Sequence, residues 1–506
     1  MLAMRWLNRR RDARAHTGPG VLGKAGRMKS RSLASPTFKA AGGSIAVASA
    51  FLVVAMGACS SSGVKSVSSD AGHDAAHDSA TNVLDSSTIV DSSLPPDLDA
   101  PPPPGSFCSL PGSVVFTVHG PEIMPGGDAS TPSISWLHLP LGYCAHYFAH
   151  VPTARQLRFA PDGHLFVASP TTPTTGGAQN GMAGIVVAPD DNGDGVADES
   201  VMYLDQLPST QGLMFNGGYL YFQDGATIRR IPFKNGDLSP SGSAEAVTTV
   251  TVQQAPEHWP KLFDIAQDGT MYVSNGSTQS EECLSTRPVF GAIFKVAPDG
   301  GETEVAKGFR NPIAMRCEPD HDLCIALELA LDYSDSTGPV GREKLVPVHQ
   351  GDDWGFPCCA TQNLPYVNVT YGDNGQVPNC SGVGVETVSF VIGDTPFGID
   401  FETGKWPAPW GGRAFVSLHG VFGTWQGARV VAIARDPSTG MPLPATDFDG
   451  GESANDNMMD FATGWDDGRM DHGRPAAVTF APDGRLFIGD DQLGAVIWIA
   501  PIDLMQ

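Results

Sequence analysis

The sequence predicts an all-β fold, a β-propeller preceded by a signal peptide and a disordered tether. Two observations predict it. One is a phrase written six times: an apolar strand end, a tight turn built on Pro-Asp-Gly or a relative of it, then an alternating apolar strand. The other is the recurrence of these hairpins from residue 159 to residue 489, the radial repetition of propeller blades. Such a scaffold names no function by itself.

The six stretches are Phe159–Ala168, Met214–Phe222, Ile265–Val273, Val296–Gly300, Met315–Ile325 and Phe480–Gly489. Asp-Gly supplies the positive φ values that a tight hairpin needs, and a preceding Pro presets the entry. Period-2 alternation after each turn reads as a strand with one face in a core.

The ends read differently. Residues 1–58 form a leader whose conventional part starts at Met28. A basic Met-Lys-Ser-Arg is followed by the apolar run Ile45–Met56 and the small residues Gly57 and Ala58. That run is too short to span a bilayer comfortably and carries signal-peptide flanks. Met56-Gly-Ala-Cys59 resembles a bacterial lipobox, which makes Cys59 a lipidation site and places the protein in the bacterial cell envelope, lipid-anchored. Residues 59–107 are rich in Ser, Asp and Pro and end in the run Pro101–Pro104. So few apolar groups cannot offset the entropy of ordering, and the segment is expected to be a tether. The propeller then occupies 108–506.

Charge narrows the partners. The chain carries a formal charge of −24, and the leader holds ten Lys/Arg against one Asp, so the mature part lies near −33. That acidity excludes nucleic acid, whose phosphates it would repel. Beyond Cys59 there are eight cysteines, at 108, 144, 283, 317, 324, 358, 359 and 380. In an exported chain an even number suggests four disulfides. Cys317 and Cys324 flank a turn and can bridge a hairpin. Cys108 and Cys144 can staple the entrance of the domain, and the order among the other four is open. No Cys-x-x-Cys spacing supports zinc.

Three segments between the hairpins carry chemistry. In Pro256–Val273, His258 precedes a strand that leads into an Asp-Gly turn, where a channel-lining position falls. In Gly308–Ile313, Pro312 biases Asn311 to extended geometry and holds an Arg310-Asn311 pair. Asp352–Pro357 is an acidic-aromatic loop. Their order, with the closing Arg474-Pro475 and Ala481-Pro-Asp-Gly hairpin before Asp490-Asp491, resembles the soluble quinoprotein glucose and sorbosone dehydrogenase family over about 155–500. Asp190–Asp198, Leu418-His-Gly420 and Gly464-Trp465 fit its sorbosone branch better.

The resemblance implies a six-bladed propeller holding pyrroloquinoline quinone (PQQ) over its channel and oxidising sugars or related carbonyls. It places His258 as the general base; imidazole, with an ordinary pKa of about 6.5, accepts protons at neutral pH. It places Arg310 beside the quinone carbonyls, Asn311 as a neighbouring cofactor contact, and Arg474 near the arginines that meet the cofactor carboxylates. Three positions depart from the glucose branch. Ile313 stands for a Gln, Asn275 for an Asp partner of the base, and Leu418 for an Arg.

Calcium is a further expectation. Asp190, Asn192, Asp194 and Asp198 alternate around Gly195 as oxygen ligands do in a calcium loop, although Val201 stands where an EF-hand has its bidentate Glu. Asx-turns explain the same stretch. A second site, implied by the resemblance, uses Glu343 near Gly355. The reading is a quinone-dependent dehydrogenase acting on a small sugar or sugar-derived carbonyl. The alternative is a noncatalytic propeller that binds glycans or protein partners on the same face. No Ser-His-Asp, His-Glu-x-x-His or Walker signature offers a third enzyme class.

Overall fold

Six antiparallel sheets follow one another from residue 156 to the C-terminus in a computed structural model. It describes residues 101–171, 180–250, 258–278, 282–283, 291–331, 341–366, 370–371, 375–421, 427–446, 456–468 and 472–506. Cys59, the leader and most of the tether lie outside the described residues. Each sheet holds a four-stranded antiparallel blade, innermost strand first; the third and fourth sheets carry a fifth, parallel strand, and the sixth has six strands. The innermost strands are Gln156–Phe159, Leu213–Asn216, Phe263–Ile265, Asn311–Cys317, Pro396–Phe401 and Pro475–Phe480. Each touches the next, and the sixth touches the first, so the ring is closed. The chain is a six-bladed β-propeller.

The sixth blade takes its outer strand from the start of the domain. Tyr143–His150 pairs antiparallel with Ala495–Pro501, Tyr143 opposite Pro501 and His150 opposite Ala495, with a register shift between Tyr147 and Ala149. Cys108 is joined to Cys144, and Ser106 bridges Met505. Nonlocal pairing thus locks the start of the domain to its last strand, which leaves the sheet ring no seam.

Apolar residues of adjacent sheets interlock between the blades. Phe166 and Tyr203 of the first blade pack with Phe215, Phe222 and Phe233 of the second. Trp406, Phe415 and Phe461 of the fifth pack with Ile488 and Ile499 of the sixth. Each such aromatic buries on the order of 150–250 Å².

The innermost strands all run from one end of the ring, here termed upper, to the lower. Their hairpin turns therefore lie at the lower end. The first blade turns on Pro161-Asp162-Gly163, where Gly163 N donates to Ala160 O and His164 N to Asp162 Oδ1. The second turns on Gly217-Gly218, both at positive φ, as a two-residue primed turn requires.

The six sequence repeats do not map one to a blade. Val296–Gly300 is the outer hairpin of the third blade, whose inner hairpin is Ile265–Val273. The fifth blade makes its inner hairpin without any Asp-Gly. There Glu402, buried, accepts from the backbone N–H of Gly404 (2.7 Å), Lys405 (2.6 Å) and Trp406 (3.0 Å), and also from Gly412. One carboxylate does the work of turn residues. In the fourth blade the Cys317–Cys324 disulfide closes the inner hairpin. A 40-residue excursion from the third strand of that blade to its fourth passes beside the third blade, where Ala306 pairs with Asp352. It is tied by Cys283–Cys358 and Cys359–Cys380.

Candidate active site

At the upper end of the channel, side chains come from the residues just before the innermost strands and from the loops after the second strands. Phe263–Ile265 and the strand beside it place His258 against Ser277. The His258 side chain is 1% exposed, and its Nδ1 lies 3.0 Å from Ser277 O and 3.3 Å from Ser277 Oγ. A carbonyl oxygen only accepts, so Nδ1 carries the proton and Nε2 is the basic nitrogen of the neutral ring. Ser277 N donates in turn to Arg310 O at 2.7 Å. A Cβ on Gly276 would run into the His258 side chain and come within 3.1 Å of Asn311 Oδ1. His258, Arg310 and Asn311 are thus brought together around a residue that has to be glycine.

Asn275 holds its own loop, with Nδ2 donating to Gly276 O at 3.0 Å. The orienting acceptor for the imidazole is a backbone carbonyl, and no carboxylate partner is needed to set its tautomer.

Beneath Arg310 lies a buried charge pair. Glu328 accepts from Arg310 N at 2.8 Å, and its carboxylate lies 3.5 Å from Lys344 Nζ. Burial alone would lower the Lys344 pKa, but the Glu328 charge more than offsets it and the ammonium is held protonated. Lys344 also donates to Trp354 O at 3.0 Å. The Asp352–Pro357 loop therefore braces Arg310 from behind.

Arg474 sits in a second cluster at the same end. Its Nε donates to His419 O (2.8 Å) and a terminal nitrogen to Gly420 O (2.6 Å). His419 Nε2 lies 2.8 Å from Asp491 Oδ1, and Arg155 lies 2.6 Å from the other oxygen of Asp491. Burial and the nearby Arg474 push the His419 pKa down to about 4, so the imidazole is neutral and donates to Asp491. Burial opposes the Asp491 charge, but His419 and Arg155 hold the carboxyl well below the ordinary range. The Phe397 ring stacks on His419 (4.6 Å) and receives the Arg155 guanidinium at 4.9 Å.

Sequence reasoning missed Arg155, His419 and Asp491 as a unit. The signal was present in Leu418-His419-Gly420 and Asp490-Asp491, but the pairing spans 72 residues. Leu418 is a correction. Its side chain is fully buried in the core between the fourth and fifth blades, so no channel cation is lost there. The channel-side residue is His419. Ile313 packs with Phe397 and Ala476, an apolar contact among the innermost strands of three blades.

The residues expected to hold calcium lie at two separate places. Asp190, Asn192, Asp194 and Asp198 lie in the outer hairpin loop of the first blade, at the lower end. Several of their oxygens are turned onto the loop itself: Asp190 Oδ2 accepts from Gly195 N, Asn192 from Asp194 N, Asp194 from Val196 N, and Asp198 from Asp191 N and Asn192 Nδ2, while Asp190 Oδ1 is buried with no hydrogen-bond partner among the described residues. Glu343 accepts from Ala330 N at 2.8 Å and Gly393 N at 3.3 Å, and burial pushes its pKa up to about 8. Among the described residues no group of three or more His, Cys, Asp or Glu side chains gathers to hold a metal ion.

Residues 130–324 match a family described as Domain of unknown function (DUF7133). That span runs from the entry segment through three blades into the fourth. No curated protein matches the chain. Among solved structures it is similar to the iodide structure of Trichoderma reesei carbohydrate-active enzyme family AA12. The identity is 16%, with 75% of this chain and 100% of that chain covered, at a TM-score of 0.58. The calcium structure of the same enzyme family from that organism gives 16% identity, 74% and 99% coverage and a TM-score of 0.56. The PQQ-bound form of aldose sugar dehydrogenase from Streptomyces coelicolor matches at 15% identity, with 72% and 100% covered and a TM-score of 0.46. The likeness to the first two is one of fold, the propeller on which a carbohydrate-active enzyme family is built.

Proposed function

We propose that the protein is a PQQ-dependent dehydrogenase that oxidises a small sugar or sugar-derived carbonyl at the upper end of the channel. The observation that carries this is His258. Ser277 O orients its ring so that Nε2 is the base, and one backbone hydrogen bond links it to the Arg310-Asn311 pair. Three buried guanidinium groups, Arg155, Arg310 and Arg474, stand at that end, a donor set suited to an anionic, carboxylate-rich group. Asn311 Oδ1 is buried with no hydrogen-bond partner among the described residues, as is the whole Gln211 side-chain amide. Orphaned buried polar atoms cost about 1–3 kcal/mol each, so a polar ligand that pairs with them gains by it.

On this reading Arg310, Asn311 and Arg474 hold the quinone, which when bound supplies the two-electron acceptor. His258 Nε2 takes the proton from the substrate hydroxyl. Arg310, braced by Glu328 and Lys344, keeps a fixed cation where negative charge develops. His419, neutral and pinned by Asp491, offers a hydrogen-bonding ring edge rather than a charge. Mixing the apo-protein with PQQ, with and without Ca²⁺, tests the assignment. Cofactor absorbance retained after desalting supports it. No binding at micromolar cofactor would instead favour a propeller that binds glycans or proteins on this face.

Lipid anchoring at Cys59 in the cell envelope belongs to the same proposal. Cys59→Ala should move the protein from the membrane to the soluble fraction, because two or more acyl chains give the stable attachment that one cannot. A variant that stays in the membrane pellet would remove the lipobox reading.

A further inference from the structure

At the lower end of the channel, the blades bring charged groups into an otherwise apolar ring. Arg158 comes from the first blade, Asp264 from the third, Arg316 from the fourth, Asp400 from the fifth and Thr479 from the sixth. Arg316 Nε lies 2.8 Å from Asp400 Oδ1, and a terminal nitrogen lies 3.1 Å from Asp264 Oδ2. Below them opens a cavity of about 280 Å³. Arg158, Arg316, Asp400 and Thr479 line it together with Met214 and the rings of Phe159, Phe215 and Phe480. Thr403, Pro319 and Pro482, all exposed, form its rim.

The hydrogen bonds of this cavity are unbalanced. Its acceptors are spent. Asp264 accepts from Ile265 N, Cys317 N and Arg316. Asp400 accepts from Arg316, Phe401 N, Thr479 Oγ1 and Phe480 N. One of its donors is not spent. Arg158 is 6% exposed; one terminal nitrogen donates to Leu157 O at 3.0 Å, and the Gln156 amide oxygen, turned toward it, accepts from both terminal nitrogens. Its Nε is buried and has no acceptor among the described residues. Burial and the neighbouring Arg316 push the Arg158 pKa down to about 10, so the guanidinium remains charged at neutral pH and an added anion would relieve it.

We infer that this cavity is a second ligand site, at the end of the channel opposite His258, and that it takes a small monocarboxylate with a flat apolar body. The buried Arg158 guanidinium meets the carboxylate, the form of anion it matches best. The Phe159, Phe215 and Phe480 rings and Met214 take the apolar body. The volume, at the lower edge of ligand pockets generally, admits a single ring. The saturated Asp264 and Asp400 leave no acceptor for a cationic or hydroxyl-rich ligand. The site stands independently of any reaction at the upper end.

The test uses benzoate as the probe, followed by saturation-transfer NMR on the full chain. Benzamide serves as the neutral isostere and acetate as the charge without the ring. Benzoate should saturate, and benzamide and acetate should each bind at least about tenfold more weakly, a difference of roughly 1.4 kcal/mol. Arg158→Gln should weaken benzoate by a similar factor or more. Thr403→Trp, which places bulk at the exposed rim and leaves the buried ions alone, should abolish binding, and it decides the matter if Arg158→Gln does not fold. No saturable binding at about 10 mM benzoate would overturn the inference. So would equal binding of benzamide, or benzoate binding unchanged in Thr403→Trp.

Discussion

Asp400→Ala is expected to destabilise the propeller by about 3–5 kcal/mol, the scale for removing one partner of a buried ion pair. The variant leaves the Arg316 cation with Asp264 alone and close to Arg158. It also strips the acceptor from Thr479 Oγ1 and from the backbone N–H of Phe401 and Phe480. These contacts tie the neighbouring fourth, fifth and sixth blades at the channel, so the loss falls on ring closure rather than on one sheet. Arg316→Met added to Asp400→Ala should recover part of the loss, because the stranded charge goes with it. The sign with pH follows from the Asp400 pKa. Burial opposes its charge, but Arg316 and Arg158 hold the carboxyl below an ordinary aspartate's 3.8. A depressed carboxyl adds stability above the unfolded value and loses it as the pH falls through the folded value. The gap between wild type and variant should therefore be constant from pH 5 upward and narrow in stronger acid. Urea midpoints across that range measure it. A gap under about 1 kcal/mol at pH 7 would show that the axial network does not hold the ring.

The hairpins were legible because tight-turn chemistry is local: Asp-Gly and Gly-Gly announce themselves within four residues. The fifth blade was not, because its turn is set by Glu402, a residue type with no turn signature of its own. The outer strand of the sixth blade was equally hidden, since Tyr143–His150 pairs with a strand some 350 residues later. At the upper end, His258, Arg310 and Asn311 could be picked out by motif order, and the structure shows them sharing the neighbourhood of Gly276. The Arg155–Asp491–His419 group could not be read as a unit, because its members stand far apart in the chain and acquire their partners only when the ring closes. Leu418 illustrates the parity of a strand: a shift of one residue turns a core position into a channel position. The ions at the lower end look like interruptions in apolar strands until four blades bring them together.

Substituting His258 and Arg310 should separate two failures. His258→Gln removes the base while keeping a side chain that can still donate to Ser277 O. Turnover of a reconstituted, PQQ-loaded protein should fall by roughly 10²-fold or more, the usual scale for a lost general base, with cofactor affinity nearly intact. Arg310→Ala should weaken cofactor binding and turnover together, since a charge-assisted contact to the cofactor goes with the side chain. The backbone of residue 310 still donates to Glu328 and accepts from Ser277, so the variant tests the guanidinium and not the local fold. Glu328→Gln should resemble a mild Arg310→Ala: the carboxylate that receives Arg310 N and faces Lys344 is neutralised, and the brace behind the cation slackens. Cofactor titration and stopped-flow reduction of the bound quinone by candidate aldoses and aldehydes separate affinity from turnover. Equal turnover in wild type and His258→Gln would remove the imidazole from the reaction. A loss of cofactor binding in His258→Gln as large as in Arg310→Ala would make the histidine a cofactor contact instead of the base.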